Sequence, residues 1–326
     1  MTIGITFDLR EDYLRMGYSE EETAEFDSIE TIEGIEGALE RLGYETERIG
    51  NIMQLTRRLA DGERWDLVFN ICEGMHGTGR EAQVPALLDA FEIPYVFSGP
   101  LVLALTLDKG LTKRVIRDAG IPTAPFKVIS SPGQLKQVNL PYPLFVKPVS
   151  EGTGKGITPR SVVRTPEELH EQTRHLLERY HQPVLVEVYL PGREFTVGIT
   201  GTGQDASVTG VMEVILNEKA EAGVYSYINK EDWRNRVSYA PATGFEATEC
   251  EIIALEAWKI LGAEDGGRID IRMDSRGAPQ FIEINPLAGL HPTHSDLPML
   301  SEMYGIPYDE LISRIMKSAL KKVRKA

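Results

Sequence analysis

The chain has 326 residues, which is enough for two or three small domains that each bury a hydrophobic core. Its net charge of −14 argues against a nucleic-acid-binding protein, because such proteins present a basic surface to phosphates. The two cysteines, Cys72 and Cys250, provide no disulfide framework. The sequence predicts neither a signal peptide nor a membrane span, so we expect a cytoplasmic protein without nucleic-acid or membrane contact.

The first hundred residues alternate short apolar segments with helical patterns, which indicates a parallel sheet covered by helices. A helix is predicted from Ile29 onward, with Asp27 and Glu30 as its capping pair and Gly43 as its end. Residues 10–26 are too polar and too long for a tight connection, so we expect an additional helix or a mobile flap there. Strands are predicted at 2–8, 44–49, 66–72 and 95–97.

The patterns that follow indicate two further units of mixed helices and strands. A second unit begins at Asp108 with a helix that Gly120 ends, and a third begins near Pro191. We therefore predict three domains, at 1–107, 108–190 and 191–326. Further strands are predicted at 126–129, 144–147, 161–163, 184–188, 194–200, 207–214, 268–273 and 280–284, and further helices at 166–180, 247–261 and 308–323, with one that ends at Phe91.

Residues 217–243 form a long segment with little apolar periodicity, and they contain several aromatic and basic side chains. A long irregular segment inside a compact domain is usually functional. We predict that this segment closes as a lid over bound substrates, with residues 10–26 as a second candidate lid.

The clearest chemical pattern lies in a predicted hairpin near the C-terminus. Residues two apart share a face of a strand, so Arg268 lies beside Asp270, and Glu283 lies beside Asn285. Symmetric pairing would place Asp270 opposite Glu283, where two carboxylates repel unless a cation lies between them. Such oxygen ligands suit a Mg²⁺ ion on phosphates, and Arg268 would stabilise a transferring phosphoryl group. An exposed hairpin with ordinary surface charges is the alternative.

A second pattern suggests a nucleotide site. Lys147 ends a strand and is followed by the glycine-rich segment 150–156, which offers a positive charge and several backbone N–H groups to phosphates. The segment is not a P-loop, and a plain β-hairpin would also explain it. Glu187 lies in an apolar strand, where an adenine amino group would satisfy its buried carboxylate, and Glu194 is placed to bind a ribose hydroxyl.

These motifs resemble those of the D-alanine–D-alanine ligases of the ATP-grasp superfamily, and the resemblance covers essentially the whole chain. It implies an α/β ATP-grasp fold, with an N-terminal parallel-sheet domain followed by central and C-terminal α+β domains. It also implies a homodimeric ligase that uses ATP and Mg²⁺ or Mn²⁺ to join two small amino-acid substrates through an acyl phosphate, in cell wall biogenesis. The alternatives are a ligase for another carboxylate–amine pair, a phosphotransferase or ATPase without ligation, and a nucleotide-binding regulatory protein.

The resemblance also assigns individual residues. Arg268 and Lys230 act on the transferring phosphoryl group, His76 lies near the first amino acid, and Ser295 holds the second substrate. For His76 a polar loop residue, for Lys230 a solvated charge and for Ser295 a helix cap are the alternatives. The implied metal ligands are Asp270, Glu283 and Asn285, and the implied nucleotide-binding residues are Lys109, Lys147, Gly152, Thr153, Gly154, Glu187, Tyr189, Leu190 and Glu194.

The amino-acid half of the implied site departs from the family pattern. Members of the family join a Glu, a Ser and a Tyr around the first substrate, whereas the matching positions here are Phe26 (or, with a shift of one, Glu25), Thr153 and Glu231. An unpaired buried polar group costs about 1–3 kcal/mol, so changes of this kind suffice to alter the substrate. We therefore expect an intact ATP half and a changed amino-acid half, with D-alanyl-D-alanine as the default product.

Overall fold

The computed structural model describes residues 1–221, 229 and 232–323. Its N-terminal sheet is parallel, as predicted, with the strand order β2-β1-β3. Its strands are β1 (Thr2–Thr6), β2 (Glu45–Gly50) and β3 (Leu67–Asn70), and the helices around it are α1 (Arg10–Arg15), α2 (Ile29–Arg41), α3 (Ile52–Ala60), α4 (Gln83–Ala90) and α5 (Pro100–Leu107).

Two predictions for this part of the chain are wrong. Residues 95–97 form only an isolated bridge between Val68 and Tyr95, because Phe97 adopts a φ of 76° and turns its N–H toward the side chain of Asp265. The residue that precedes α2 is Ser28, not Asp27. Asp27 cannot begin the helix, because its backbone pairs with the segment after β1 through the N–H of Arg10.

The middle sheet is antiparallel, with the order β4-β7-β5-β6. The helix α6 (Lys109–Asp118) leads into it, and Asp108 caps that helix by accepting a hydrogen bond from the N–H of Leu111. The other elements are β4 (Phe126–Ile129), β5 (Leu144–Pro148), β6 (Val162–Val163), α7 (Pro166–Tyr180) and β7 (Val184–Val188). Among the described residues, 3-10 turns lie at Arg80–Ala82, Pro132–Gln137, Pro159–Ser161 and Gly203–Asp205.

The C-terminal sheet is also antiparallel, and its strands β8 (Glu194–Thr200), β9 (Ser207–Leu216), β10 (Val237–Pro241), β11 (Gly266–Met273) and β12 (Pro279–Asn285) lie in the order β10-β9-β8-β11-β12. Its edge strand β10 lies within residues 217–243, where the sequence predicted no regular structure. Only Val237 of β10 is buried. The strand therefore lacks the alternation of buried apolar and exposed polar residues by which a strand is predicted from sequence. The helices that the structure describes in this part of the chain are α8 (Trp233–Arg236), α9 (Phe245–Leu261), α10 (Asp296–Met303) and α11 (Tyr308–Val323).

The largest hydrophobic core joins the two ends of the chain. Ile35 of α2 and Ile3 of β1 belong to the same buried cluster as Leu311 and Ile315 of α11. The C-terminal helix therefore packs against α2 and shares a core with the N-terminal sheet. The division at residues 107 and 190 stays a prediction. Among the described residues, no helix is both long and apolar enough to cross a membrane.

We predict that Gly267→Ala destabilises the protein by about 1–3 kcal/mol, the usual cost of overpacking a core. A Cβ at this position would lie 2.5 Å from the backbone oxygen of Asn285 and 2.9 Å from the Trp258 ring. The free energy of unfolding in urea measures the effect. Gly133→Ala is the matched control, because a Cβ there meets no atom within 4 Å. Equal stability of the two variants would contradict the close packing of β11 against β12.

Candidate active site

The hairpin of β11 and β12 has the predicted register. Asp270 pairs with Glu283, and Arg268 pairs with Asn285. The turn closes at Gly277, whose φ of 78° favours glycine. A bulge follows Asp270, so that the next paired residues are Ile271 and Phe281, and bulges of this kind often adjust side-chain directions beside active sites. The two carboxylates therefore lie opposite each other on neighbouring strands.

Asp270 is held in place by three neighbours. Thr196 donates a hydrogen bond to its Oδ1 at 2.9 Å, Asn285 donates to its Oδ2 at 3.3 Å, and Arg268 forms an ion pair with it. Arg268 also lies 3.7 Å from Asp296. Burial alone would lower the pKa of Arg268, but the two aspartates outweigh burial and raise it, so Arg268 remains a cation.

The donor set fits a divalent ion that also binds phosphates. Asp270 and Glu283 contribute carboxylates, and Asn285 retains its amide oxygen because it donates its N–H to Asp270. The described residues contain no group of three His, Cys, Asp or Glu side chains that could hold a metal ion. An ion at this hairpin would thus need phosphate oxygens and water, as Mg²⁺ commonly does in nucleotide sites.

A network of buried ion pairs links this hairpin to the middle sheet. Lys147 lies 3.5 Å from Glu187 and 3.6 Å from Glu283, and Lys109 lies 3.6 Å from Glu283. Lys113, which the sequence reading did not single out, donates to Glu187 at 2.6 Å and is 1% exposed. Burial would raise the pKa of Glu187, but Lys113 and Lys147 outweigh burial and lower it. Burial lowers the pKa of Lys113.

The nucleotide-binding residues that the sequence suggested separate into two groups. Most of them line one cavity between the middle and C-terminal sheets, together with Arg268, Asp270 and Glu283. Gly152 and Thr153 line a second cavity instead. The residues in the first cavity are Lys109, Lys147, Gly154, Glu187, Tyr189, Leu190 and Glu194.

Arg272 is a further residue of the first cavity that sequence reasoning missed. Its guanidinium carbon lies 5.3 Å from the centre of the Tyr189 ring, and its Nη1 lies 3.3 Å from Glu194. Phe145 stacks near Tyr189 with ring centres 6.4 Å apart. The sequence could have indicated Arg272, because it follows Arg268 and Asp270 at intervals of two and so lies on the same face of β11.

The second cavity has a volume of about 400 Å³ and adjoins the first. Ser295 lines it, directly before α10, and accepts a hydrogen bond from the N–H of His291 at 2.9 Å. Lys109, Arg268 and Glu283 line both cavities. Asn285 lines only the second. The hairpin therefore forms part of the boundary between the two spaces.

His76 lines neither of these cavities. Its Nε2 lies 3.2 Å from the hydroxyl of Tyr18, and its side chain faces a third cavity. The same loop instead contributes Glu73 and Glu81 to the second cavity. The expected position of His76 near the first substrate thus receives no support from the arrangement of side chains.

Glu25, and not Phe26, makes the contacts expected around the glycine-rich loop. Its carboxylate accepts hydrogen bonds from the N–H of Gly152 at 2.5 Å, from Arg80 at 3.0 Å and from Lys155 at 3.2 Å. Phe26 packs against Tyr13, with ring centres 4.5 Å apart. Both Lys230 and Glu231 lie outside the described residues.

We predict that Glu187→Gln destabilises the protein by about 3–5 kcal/mol, because it leaves the buried Lys113 without its carboxylate partner. The double variant Glu187→Gln with Lys113→Met should recover much of this loss, since neither charge then remains unpaired. Urea unfolding measures both changes. Glu310→Gln, at an exposed ion pair with Arg314, is the control and should change stability by less than about 1 kcal/mol. A loss no larger than in the control would contradict the proposed burial of the pair.

Comparison with known proteins gives the same picture for sequence and fold. The family described as "D-ala D-ala ligase C-terminus" matches residues 115–317. The D-alanine–D-alanine ligase of Bordetella avium strain 197N is 34% identical over 256 residues, which cover 77% of this chain and 78% of the relative. That of Halorhodospira halophila is 31% identical over 287 residues, which cover 87% of this chain and 88% of the relative.

Two solved structures share the fold at lower sequence identity. The D-alanine–D-alanine ligase of Bacillus anthracis complexed with ATP has a TM-score of 0.76 at 21% identity, with 100% of this chain and 99% of that chain covered. The VanG D-Ala:D-Ser ligase of Enterococcus faecalis has a TM-score of 0.75 at 19% identity, with 98% of this chain and 99% of that chain covered. The family match and the relatives above 30% identity, together with this shared ATP-grasp fold, show that the chain belongs to the D-alanine–D-alanine ligase family.

Proposed function

We propose that this protein is an ATP-dependent ligase that forms an amide bond between two amino acids through an acyl phosphate. One observation carries the proposal: Lys109, Arg268 and Glu283 line both the first cavity and the second. A phosphoryl group that moves from a nucleotide in one space to a carboxylate in the other must pass these residues. Membership of the family supports ATP and small amino acids as substrates.

The first cavity suits a nucleoside triphosphate. Lys109 and Lys147 lie beside Glu283 and supply positive charge for phosphates. The rings of Tyr189 and Phe145 offer an apolar surface to a base. Glu194, Leu190 and Gly154 complete the proposed nucleotide site, in which Glu194 binds the ribose. Glu187 is already paired with Lys113, so we propose that it acts mainly by holding the lysines in position.

The residues Asp270, Glu283 and Asn285 would hold a divalent ion, Mg²⁺ or Mn²⁺. When bound there, the ion would neutralise negative charge on the phosphates during transfer. Arg268 provides a fixed positive charge at the same boundary, because its two aspartate neighbours keep it protonated and in place. Positive charge that is already oriented stabilises the transferring phosphoryl group without reorganisation.

The second cavity would hold the two amino acids. The first substrate's carboxylate would take the phosphoryl group near Arg268, and the amine of the second substrate would then attack the acyl carbon and release phosphate. We propose that Ser295, Gly152 and Thr153 bind substrate at this end. A role for His76, and closure of residues 217–243 with Lys230 to exclude water, remain proposals from the family resemblance. A homodimer in the cytoplasm is likewise proposed.

The test is to incubate the protein with ATP, Mg²⁺ and pairs of D- and L-amino acids, and to follow phosphate release together with product masses. Phosphate release that requires an amine-bearing second substrate, with a dipeptide as product, supports the ligase. Phosphate release without any amide product would instead indicate a phosphotransferase or an ATPase. D-Alanyl-D-alanine as the main product would show that the changed substrate residues leave the default reaction intact.

We predict that Arg268→Ala lowers kcat by about 10²–10³, the loss typical of removing one oriented donor from a transition state. The KM for ATP should change much less, because other groups, Lys109 and Lys147 among them, hold the phosphates. Steady-state phosphate release measures both constants. Arg276→Ala, in the exposed hairpin turn, is the control and should leave them unchanged. An unchanged kcat in Arg268→Ala would exclude the proposed role.

We also predict that Glu283→Gln raises the Mg²⁺ concentration needed for half-maximal rate by more than about tenfold. Loss of even an outer-shell partner of a metal usually costs 10- to 100-fold in affinity, and Glu283 is proposed as a direct ligand. Titration of Mg²⁺ at saturating ATP measures the change. Glu256→Gln, on the exposed face of α9, serves as the control. If the rate of Glu283→Gln depends on the Mg²⁺ concentration in the same way as the rates of Glu256→Gln and the unmodified protein, Glu283 is not a metal ligand.

A further inference from the structure

The N-terminal wall of the second cavity carries three carboxylates that the proposed reaction does not use. Asp27 lies before α2, Glu73 follows β3, and Glu81 lies in the short turn before α4. The strands β1 and β3 are parallel neighbours, so the segments that follow them emerge at the same edge of the sheet. The fold thereby brings three acids, far apart in sequence, to one wall.

Three of the cations around this wall, Arg80, Lys109 and Arg268, are paired with other acids. Arg80 pairs with Glu25 and donates to the backbone oxygen of Ser150, and Lys109 pairs with Glu283. Arg268 pairs with Asp270 and Asp296. Arg10, which also lines the cavity, donates from its Nη2 to the backbone oxygen of Glu20, whereas its buried Nε has no hydrogen-bond partner among the described residues. Within the described part of the chain, Asp27, Glu73 and Glu81 have no Lys, Arg or His nitrogen within 4.0 Å.

The electrostatic setting of the three acids is unfavourable in the absence of a ligand. Burial raises the pKa of Asp27 and of Glu81 to about 7. Burial also raises the pKa of Glu73, and the nearby charges of Glu81 and Asp27 raise it further, although Arg80 opposes this. The three carboxylates are half-buried, and Asp27 has a hydrogen bond with Thr31 but no cationic partner. Carboxylates that line a cavity without a cationic partner favour a positively charged occupant.

The spacing of the acids favours an organic cation over a metal ion. No three acidic, histidine or cysteine side chains among the described residues come together closely enough to hold a metal. An ammonium or guanidinium group, by contrast, can donate hydrogen bonds to carboxylates that are farther apart. The cavity volume of about 400 Å³ leaves room for an extended side chain, since ligand pockets usually span roughly 300–1,000 Å³.

We propose that one of the two substrates is an amino acid with a second cationic group, a diamino or other basic amino acid, whose side chain binds Glu73 and Glu81. This inference rests on the proposed ligase function and specifies its substrate class. Asp27 adds negative charge to the same wall. A small neutral amino acid such as alanine would leave these carboxylates without a partner.

The experiment measures kcat/KM for ornithine, lysine and arginine, in both enantiomers, with ATP and Mg²⁺. Each value is compared with the kcat/KM for norleucine and for alanine under the same conditions. Norleucine matches lysine in length but lacks the charge. We expect at least one basic amino acid to exceed norleucine by about tenfold or more, since a hydrogen bond to a charged group contributes that much. In Glu73→Gln and Glu81→Gln this ratio should fall toward one, mainly through KM.

Isothermal titration of the same amino acids, in the presence of a non-hydrolysable ATP analogue, provides a readout independent of turnover. Binding of the preferred basic amino acid should weaken in both glutamine variants and stay unchanged in Glu256→Gln, whose side chain lies on the exposed face of α9. Thermal unfolding of each variant shows that the fold is retained.

The outcomes separate this inference from the proposed function. Turnover of alanine or norleucine at rates equal to or above those of every basic amino acid overturns the inference and leaves the ligase intact. Absence of phosphate release with all amino-acid pairs overturns the ligase, whereas titration still decides whether the acidic wall binds basic amino acids. Equal binding of lysine and norleucine to the unmodified protein also overturns the inference.

Discussion

Asp270 and Glu283 face each other across a two-stranded hairpin, where their negative charges repel. The surrounding cations offset this repulsion. Arg268 neutralises one carboxylate from its own strand, whereas Lys109 and Lys147 approach the other from the middle sheet. Two carboxylates in this position are tolerated only with positive charge close by. The same arrangement would supply the proposed phosphoryl transfer with oxygen ligands for a divalent ion and with cations that are already oriented.

The two cavities on either side of this hairpin differ in how their charges are balanced. In the first cavity, where we propose that the nucleotide binds, the buried lysines Lys113 and Lys147 each have a carboxylate partner. On the other side, Glu73 and Glu81 have no such partner within the part of the chain that the structure describes. This contrast suggests that the residues proposed for phosphoryl transfer are distinct from those proposed to select the amino acid. The groups that activate a carboxylate can remain those of the family, while the groups that select the amino acid differ.

Local patterns predicted most of the regular structure, and the failures have two different causes. The strands Val184–Val188 and Glu194–Thr200 have the predicted bounds, because apolar runs and turn residues mark them. The helix α3 was missed although Asn51 and Gln54 form a capping box at its start. The expected strand at 95–97 failed because Phe97 turns its N–H toward Asp265, a residue 168 positions away. A local pattern cannot register a partner at that distance.

The sequence alone determined the arrangement of Arg268, Asp270, Glu283 and Asn285, because the two-residue repeat of a strand and a short turn are local properties. It also indicated that the amino-acid half of the site differs from the family. Only the tertiary structure decided which residues line the second cavity, the proposed amino-acid half. It brought Glu25 to Gly152 across 127 positions, placed His76 at a third cavity, and gathered Asp27, Glu73 and Glu81 at one wall. These positions depend on loops whose conformations are set by contacts between remote segments, which no local pattern encodes.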